Sequence, residues 1–439
     1  MSTLAAEARI RGGAAVHGDL ALPGCKGISH RALLIAAMAE GRSELTNLAT
    51  GEDVGRTAEA LRALGVTVVE SPTGTVVLES PGLDSFTAPA HDLDCGNSGS
   101  AMRMLLGILA GRPFQSTLTG DASLSQRPMA RVVEPLRAMG AQITGRDDGR
   151  YAPLTVMGAS LTGNRFELPV ASAQVKTALV FAGLQATGET VIIEPIATRD
   201  HTERMLQAAG VDVTVDAATR AVRVGAGSRR PLPFVMTVPG DPSSAAFFAV
   251  AAAMTPGASI TLRNVSTNPS RTGYLAVLEQ MGATVEIRDK GTMLGEPYGD
   301  VTVTGGALHG VDIGGTQIPN VIDEIPVLAV AAAVADGVTL VRDAGEMRVK
   351  ESDRIATTVA MLEALGADVV ARDDGLEIRG PAALRGGVVE SHGDHRIAMA
   401  GAIGALVATG ETVIKDWSCI AVSSPEFGAD LSALGAEFV

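Results

Sequence analysis

The sequence predicts an α/β protein built from six units, each running strand, helix, strand, helix, strand, strand, and grouped three and three into two similar lobes. Three observations carry that prediction. Two helix-plus-glycine signatures each recur six times along the 439 residues. The two signatures run out of phase with one another. The composition, 46% hydrophobic and 3% aromatic with 51 glycines, suits close-packed layers of helix and sheet built from Ala, Val, Leu and Ile.

The first signature is an amphipathic helix, a glycine, then Ala or Val, then a strand. It reads TAEALRALGVTVV, VVEPLRAMGAQIT, HTERMLQAAGVDVTV, YLAVLEQMGATVEI, TVAMLEALGADVV and LSALGAEFV. Its glycines, Gly65, Gly140, Gly210, Gly282, Gly366 and Gly435, are separated by 75, 70, 72, 84 and 69 residues. Each stands where a helix C-cap needs a left-handed residue before the next strand.

The second signature is an Ala-rich helix ending in glycine: SHRALLIAAMAEG, GSAMRMLLGILAG, SAQVKTALVFAGLQATG, SSAAFFAVAAAMTPG, DEIPVLAVAAAVADG and DHRIAMAGAIGALVATG. It ends at Gly41, Gly111, Gly188, Gly257, Gly337 and Gly410, with separations of 70, 77, 69, 80 and 73 residues. These helices are apolar nearly all round and are expected to be buried, with the amphipathic family outside them. A boundary is expected at TVPGDPSSAAFF, where Pro239, Gly240 and Pro242 break regular structure as the fourth unit starts.

Charge and cysteine usage narrow the function. A formal charge of −14 repels nucleic acid and anionic lipid, so neither is an expected partner, and a monomer acting on small molecules is the expectation. An anionic substrate would need a local cationic pocket. Cys25, Cys95 and Cys419 give neither a disulfide framework nor a metal-ligand spacing. The opening MSTLAAEARIRGG has no apolar signal region. The run AAFFAVAAAM is about half the ~18 residues of a membrane span. A cytoplasmic protein is expected.

The Ala-rich helices begin polar: Ser29, His30 and Arg31; Asn97, Ser98 and Ser100; Ser172, Gln174 and Lys176; Ser243 and Ser244; Asp323 and Glu324; Asp394, His395 and Arg396. One such start is ordinary capping. Six together, several with a cation in the first turn, point to helix N-termini converging on an anion site in a cleft. Nine cations are candidates: Lys26, Arg31, Arg103, Arg127, Lys176, Arg199, Lys350, Arg354 and Arg396. In RVKESDR, Lys350 and Arg354 are spaced i, i+4 as on one helical face, with Glu351 beside them.

Several long segments in order now carry a family resemblance: GNSGSAMR, GDASLSQRPM, SAQVKTAL, EPIATRDHTE, GDPSSAAFF, IDEIPVLAVAAA, RVKESDR and DHRIAMA. Over nearly its whole length the chain resembles the 5-enolpyruvylshikimate-3-phosphate synthases, or 3-phosphoshikimate 1-carboxyvinyltransferases. SAQVK and TRDHTE are similar to the second bacterial class. The resemblance implies the enolpyruvyl transferase fold, a two-lobed inside-out α/β barrel of six βαβαββ repeats. It places residues 1–21 and 240–439 in one lobe and 22–239 in the other, with the active site in the cleft between them. It implies a transfer, without metal or cofactor, of the enolpyruvyl group of phosphoenolpyruvate to the 5-hydroxyl of shikimate 3-phosphate, in the shikimate pathway to chorismate and aromatic amino acids.

By the same resemblance Lys26, Gly27, Arg31, Ser172, Ala173, Gln174, Arg199, Asp323 and Lys350 hold shikimate 3-phosphate. Lys26, Asn97, Gly99, Arg127, Gln174, Arg354 and Arg396 hold phosphoenolpyruvate. Asp323, Glu351, Lys26 and Lys350 are the implied catalytic groups. Gly99 implies room for glyphosate to compete with phosphoenolpyruvate. The family usually reads PGDKSISHR where this chain has PGCKGISHR. Cys25 and Gly27 therefore keep an alternative open, a related carboxyvinyltransferase acting on a different acceptor alcohol. A non-catalytic binding module of the same fold is the other alternative.

Overall fold

A helix that is apolar on every side has to be covered on every side. In the computed structural model, which describes residues 5–439, six helices meet that condition: Lys26–Met38, Gly99–Leu109, Ala173–Gly183, Pro242–Ala253, Ile325–Val334 and His395–Val407. All are buried along nearly their whole length. The second family, Glu52–Ala63, Ala130–Ala138, His201–Ala208, Gly273–Met281, Arg354–Ala364 and Phe427–Ala433, buries one face only. Glu52–Ala63 buries Asp53, Val54, Thr57, Ala60 and Leu61, the spacing of a single stripe.

The glycines after this second family all take positive φ, from 83° at Gly210 to 113° at Gly140 and Gly435, so each helix stops where only glycine turns freely. Among the glycines that close the Ala-rich helices, Gly111 is the exception, since its φ is not positive. A Cβ there would lie 2.4 Å from Gln185 Oε1, so close approach and not handedness demands glycine. Gln185 Nε2 donates to the carbonyls of Gly107, Ile108 and Phe181 at 3.0–3.2 Å and so satisfies the C-terminal ends of two buried helices.

Each of the six sheets has four strands, and each has a central strand with a parallel neighbour on one side and an antiparallel neighbour on the other. Four of the parallel strands, Leu93–Asp94, Arg165–Glu167, Asp312–Ile313 and Val388–Glu390, lead into the buried helix of their own repeat. The other two part company with the helix that follows them. Val235–Thr237 pairs with Glu40–Thr46 of the first repeat, while the chain continues into Pro242–Ala253. Gly18–Ala21 pairs with Ser259–Ser266 of the fourth repeat, while the chain continues into Lys26–Met38. Simple repetition along the sequence does not predict this exchange, because each strand finds its sheet hundreds of residues away.

The chain divides into two compact units. One comprises residues up to Cys25 with Pro239–Gly291 and Pro297–Val439; the second comprises Lys26–Val238 and Thr292–Glu296. We call them unit 1 and unit 2. Each has three sheets outside and three buried helices inside. In unit 2 the backbones of Gly99–Leu109 and Ala173–Gly183 approach so closely that a Cβ on Gly107 would lie 2.2 Å from Ala178 O. In unit 1 the aromatic rings of Phe247, Phe248 and Trp417 gather around Phe427, and Phe438 packs on Trp417, with centroids 5.4–6.1 Å apart. The segments at the two ends of unit 1 run side by side: Cys25 N donates to Pro239 O at 2.7 Å and Asp241 N to Pro23 O at 3.0 Å.

One cation counted toward an anion site turns out to be structural. Lys176 is 1% exposed, with Nζ 2.8 Å from Glu194 Oε2 and 2.7 Å from Glu203 Oε1, both carboxylates also buried. Burial pushes its ammonium down, but Glu203 and Glu194 outweigh that and hold it above its ordinary value. Its position in an Ala-rich helix start gave it the look of a ligand cation; two carboxylates that lie outside the motif complete it instead.

Two stability predictions follow from this packing. Lys176→Met strands two buried carboxylates and is expected to cost about 3–5 kcal/mol in urea unfolding, with a smaller loss in a Glu203→Gln background; equal losses in both backgrounds would refute the pairing. Asp430, in Phe427–Ala433, has a buried Oδ2 without a hydrogen-bond partner, and burial, with Glu426 adding to it, pushes its carboxyl from 3.8 up to about 6. The folded state therefore binds this proton more tightly than the unfolded chain, and the resulting stabilisation disappears as pH rises through about 6. Asp430→Asn is expected to raise stability by about 1 kcal/mol near pH 7.5, a figure reduced for partial exposure, and to leave the melting temperature unchanged near pH 3.5.

Candidate functional site

The helix starts of unit 2 hold their polar groups by short bonds to neighbouring elements. Lys26 Nζ lies 2.5 Å from Asp53 Oδ2 at the start of Lys26–Met38. One turn on, Arg31 is 4% exposed and donates from Nη1 to Gly27 O at 2.8 Å, from Nη2 to Thr177 Oγ1 at 3.0 Å and from Nε to Thr202 Oγ1 at 2.7 Å. His30 contacts Thr57 Oγ1 at 2.7 Å. Burial, with Lys26 and Arg31 adding to it, pushes His30 well below its ordinary value, so the ring stays neutral. Ser29 Oγ accepts from Ala49 N and is a structural bond.

A second group in unit 2 centres on Gln174. Its Oε1 accepts from Arg103 Nη1 at 2.5 Å and its Nε2 donates to Ser100 Oγ at 2.8 Å, which links the starts of Ala173–Gly183 and Gly99–Leu109. Arg127 Nη2 donates to Asn97 Oδ1 at 2.5 Å, and Asn97 Nδ2 donates to Asp121 at 2.7 Å. Gly99 stands between the two arginines: a Cβ there would lie 2.9 Å from Arg103 Nη1 and 3.6 Å from Arg127 Nη1. Ser172 is the N-cap of Ala173–Gly183, its Oγ accepting from Val175 N at 3.4 Å. Ala173 opens that helix, and its carbonyl accepts from Thr177 Oγ1 at 2.7 Å. Arg199 is half-buried in the loop before His201–Ala208.

In unit 1 the charges interlock more densely. Lys350 is not on a helix: it follows the short turn Gly345–Val349, and the helix begins only at Arg354 with Asp353 as its N-cap. The i, i+4 helical face expected for Lys350 and Arg354 is therefore absent, because Asp353 accepts from Ile355 N and Ala356 N and starts the helix there. The two cations nevertheless meet on Asp323 Oδ1, Lys350 Nζ at 3.2 Å and Arg354 Nη1 at 3.3 Å. Arg354, 1% exposed, also donates to Glu351 Oε2 at 2.6 Å and to Asp394 Oδ2 at 2.8 Å. Burial alone would depress its guanidinium, but Asp394, Glu351 and Asp323 hold it above its ordinary value. Burial likewise opposes ionisation of Asp394, and Arg354 prevails and keeps that carboxyl below the usual range.

Arg396 Nη1 donates to Asp323 O at 2.8 Å and lies 3.6 Å from Glu324 Oε1. Glu324 accepts from Ser243 Oγ at 2.6 Å and from Arg271 Nη2 at 3.2 Å. Asp394 performs two tasks, since its Oδ1 also accepts from Arg396 N as the cap of His395–Val407. Three carboxylates thus surround one buried arginine, with a lysine on the most central of them. Such a cluster can hold an anion beside a proton-exchanging carboxylate.

Unit 2 thus brings together Lys26, Gly27 and Arg31 on one helix start and Asn97, Gly99, Arg127 and Gln174 around two others. Unit 1 brings together Asp323, Lys350, Glu351, Arg354 and Arg396. Asp53, Thr177, Thr202 and Glu324 were not assigned from sequence, although they fix these side chains. Asp394 and Glu324 carried one available signal, an acid at an Ala-rich helix start; Asp53 carried none. Among the described residues no three His, Cys, Asp or Glu side chains are placed to hold a metal ion.

Comparison with known proteins matches the chain to a family. Residues 10–431 match the family model for EPSP synthase (3-phosphoshikimate 1-carboxyvinyltransferase). The 3-phosphoshikimate 1-carboxyvinyltransferase of Herpetosiphon aurantiacus is 50% identical over 412 residues, covering 94% of this chain and 95% of that one. That of Synechococcus sp. (strain JA-3-3Ab) is 49% identical over 420 residues, covering 95% and 94%. Among solved structures, an EPSP synthase from Acinetobacter baumannii superimposes with a TM-score of 0.87 at 40% identity over 99% of both chains. The enolpyruvyl transferase NikO from Streptomyces tendae, at 18% identity and a TM-score of 0.79, shares the fold. The chain belongs to the EPSP synthase family, the 3-phosphoshikimate 1-carboxyvinyltransferases, and has the fold of six βαβαββ repeats in two lobes.

Proposed function

We propose that this chain transfers the enolpyruvyl group of phosphoenolpyruvate to the 5-hydroxyl of shikimate 3-phosphate and releases phosphate, using the charged and polar groups at its helix starts. The observation that carries the reading is the cluster of Asp323, Lys350, Glu351 and Arg354, because it couples carboxylates able to exchange protons with cations able to hold an anion. Both substrates are phosphorylated carboxylates, and a chain of net charge −14 needs such local cations to bind them. The acceptor is assigned to Lys26, Gly27, Arg31, Ser172, Ala173, Gln174, Arg199, Asp323 and Lys350. Phosphoenolpyruvate is assigned to Lys26, Asn97, Gly99, Arg127, Gln174, Arg354 and Arg396.

The chemistry needs one proton delivered and one removed. The methylene carbon of phosphoenolpyruvate takes a proton, positive charge develops at the adjoining carbon, and the acceptor oxygen bonds to that carbon as its own proton leaves. Expulsion of phosphate and loss of a methyl proton then restore the double bond. Asp323, with Lys350 Nζ at 3.2 Å, and Glu351, with Arg354 at 2.6 Å, are assigned to these two proton transfers, with Lys26 and Lys350 assisting. The surrounding cations stabilise the phosphate as its charge grows. The protein acts as a monomer in the cytoplasm, without nucleic acid or membrane. Among the described residues no single helix is long and apolar enough to cross a membrane.

Steady-state phosphate release with the two substrates tests the reading directly. Turnover with some other alcohol and none with shikimate 3-phosphate would assign Gly27 and Cys25 a changed acceptor. Glu351→Gln and Asp323→Asn are each expected to lower kcat by about 10²–10⁴ with smaller changes in KM; KM changes alone would remove them from proton transfer. Glyphosate is expected to compete with phosphoenolpyruvate. Gly99→Ala, whose methyl must displace Arg103 Nη1 from 2.9 Å, is expected to weaken that inhibition; no inhibition of the unaltered enzyme by glyphosate in large excess would refute the assignment.

A further inference from the structure

The first turn of His201–Ala208 holds three consecutive buried residues, and each is tied to side chains outside its own helix. His201 Nδ1 lies 2.9 Å from Glu296 Oε1. Thr202 Oγ1 accepts from Arg31 Nε at 2.7 Å and lies 2.6 Å from Thr177 Oγ1. Glu203 Oε1 lies 2.7 Å from Lys176 Nζ. Glu296 comes from far along the chain: it ends the five-residue segment Thr292–Glu296 that belongs to unit 2 although the residues on either side of it belong to unit 1. The side chains of His201 and Glu296 are 1% and 0% exposed. Gly295, at φ +77, lies so close to the same helix that a Cβ would come within 2.6 Å of Arg204 O.

We propose that Glu296 is a positioning residue for the acceptor substrate: by holding His201 it fixes the first turn of His201–Ala208, and through Thr202 it fixes the guanidinium of Arg31. A buried carboxylate meeting a buried ring Nδ1 makes a strong, directional bond. Helix starts are otherwise short of partners on their first turn, and this one begins without a side-chain cap. The bonds to Glu296, Arg31, Thr177 and Lys176 supply the rigidity that a cap would give. Arg31 is in turn held by the same turn, so loosening Glu296 disturbs its Nε acceptor, and none of the bonds named above involves Asn97, Gln174 or Arg127. The inference rests on the assignment of Arg31 to the acceptor.

The test compares KM for the two substrates, which does not depend on how much of a variant folds. Glu296→Ala is expected to raise KM for shikimate 3-phosphate about tenfold, as for a loss of roughly 1.4 kcal/mol, with KM for phosphoenolpyruvate unchanged. Glu296→Gln, which keeps an acceptor oxygen for His201, is expected to restore most of that affinity. Gly295→Ala, which leaves both side chains in place and only displaces the segment, is expected to give a smaller rise of the same selectivity. Equal rises for both substrates, no rise for either, or a Gln variant no better than Ala would each overturn the proposal. Arg31→Ala separates the two levels. If it leaves KM for shikimate 3-phosphate unchanged, the assignment of Arg31 falls and this inference with it. If it raises that KM while Glu296→Ala does not, only the positioning role of Glu296 falls.

Discussion

Everything in this molecule depends on six helices that have no polar face. Once a helix is covered on all sides, its two ends are the only places where polar chemistry can reach it. The C-terminal ends are closed by backbone turns, with the amide of Gln185 serving two of them. The N-terminal ends carry the charges: Lys26, Arg31 and Arg103 in unit 2, Asp323, Asp394 and Arg396 in unit 1. The burial that makes the core also gathers the reactive groups.

That arrangement sets the electrostatics. An unpaired cation at a buried position costs several kcal/mol or more, so each must find oxygen. In unit 1 the oxygen comes from carboxylates, three of them on Arg354. For Arg31 the bonds described run to a carbonyl and two hydroxyls. Neutral acceptors of this kind orient a guanidinium and leave its charge in place. Carboxylates also neutralise it, and they bring exchangeable protons.

The repeat itself was legible in the sequence, because glycine at a helix stop and Ala along a buried helix are both set by local geometry. The burial of SSAAFFAVAAAM and DEIPVLAVAAAV was legible for the same reason. Long-range pairing was not. Nothing near Val235–Thr237 says that it lies beside Glu40–Thr46, and nothing near Lys176 names Glu194 and Glu203 as its partners. Spacing also misled at RVKESDR, where a helical period was read across residues that precede the helix. Lys350 and Arg354 still reach the same carboxylate, by a turn and not by a shared face. Sequence distance alone carries no such information, because side chains from separate elements meet only after the chain has closed on itself.

The strand exchange between repeats has a consequence for how the chain is made. Glu7–Arg11 finds its neighbour in Glu411–Lys415, and Arg9 meets Glu411 across 402 residues. Gly18–Ala21 waits in the same way for Ser259–Ser266. The strands and helices of Lys26–Val238, by contrast, find all their sheet partners within that one stretch. On the ribosome the middle of the polypeptide can assemble its sheets early, while the first strands emerge as unpaired edges: Gly18–Ala21 stays so until the fourth repeat is made, and Glu7–Arg11 until synthesis is nearly complete.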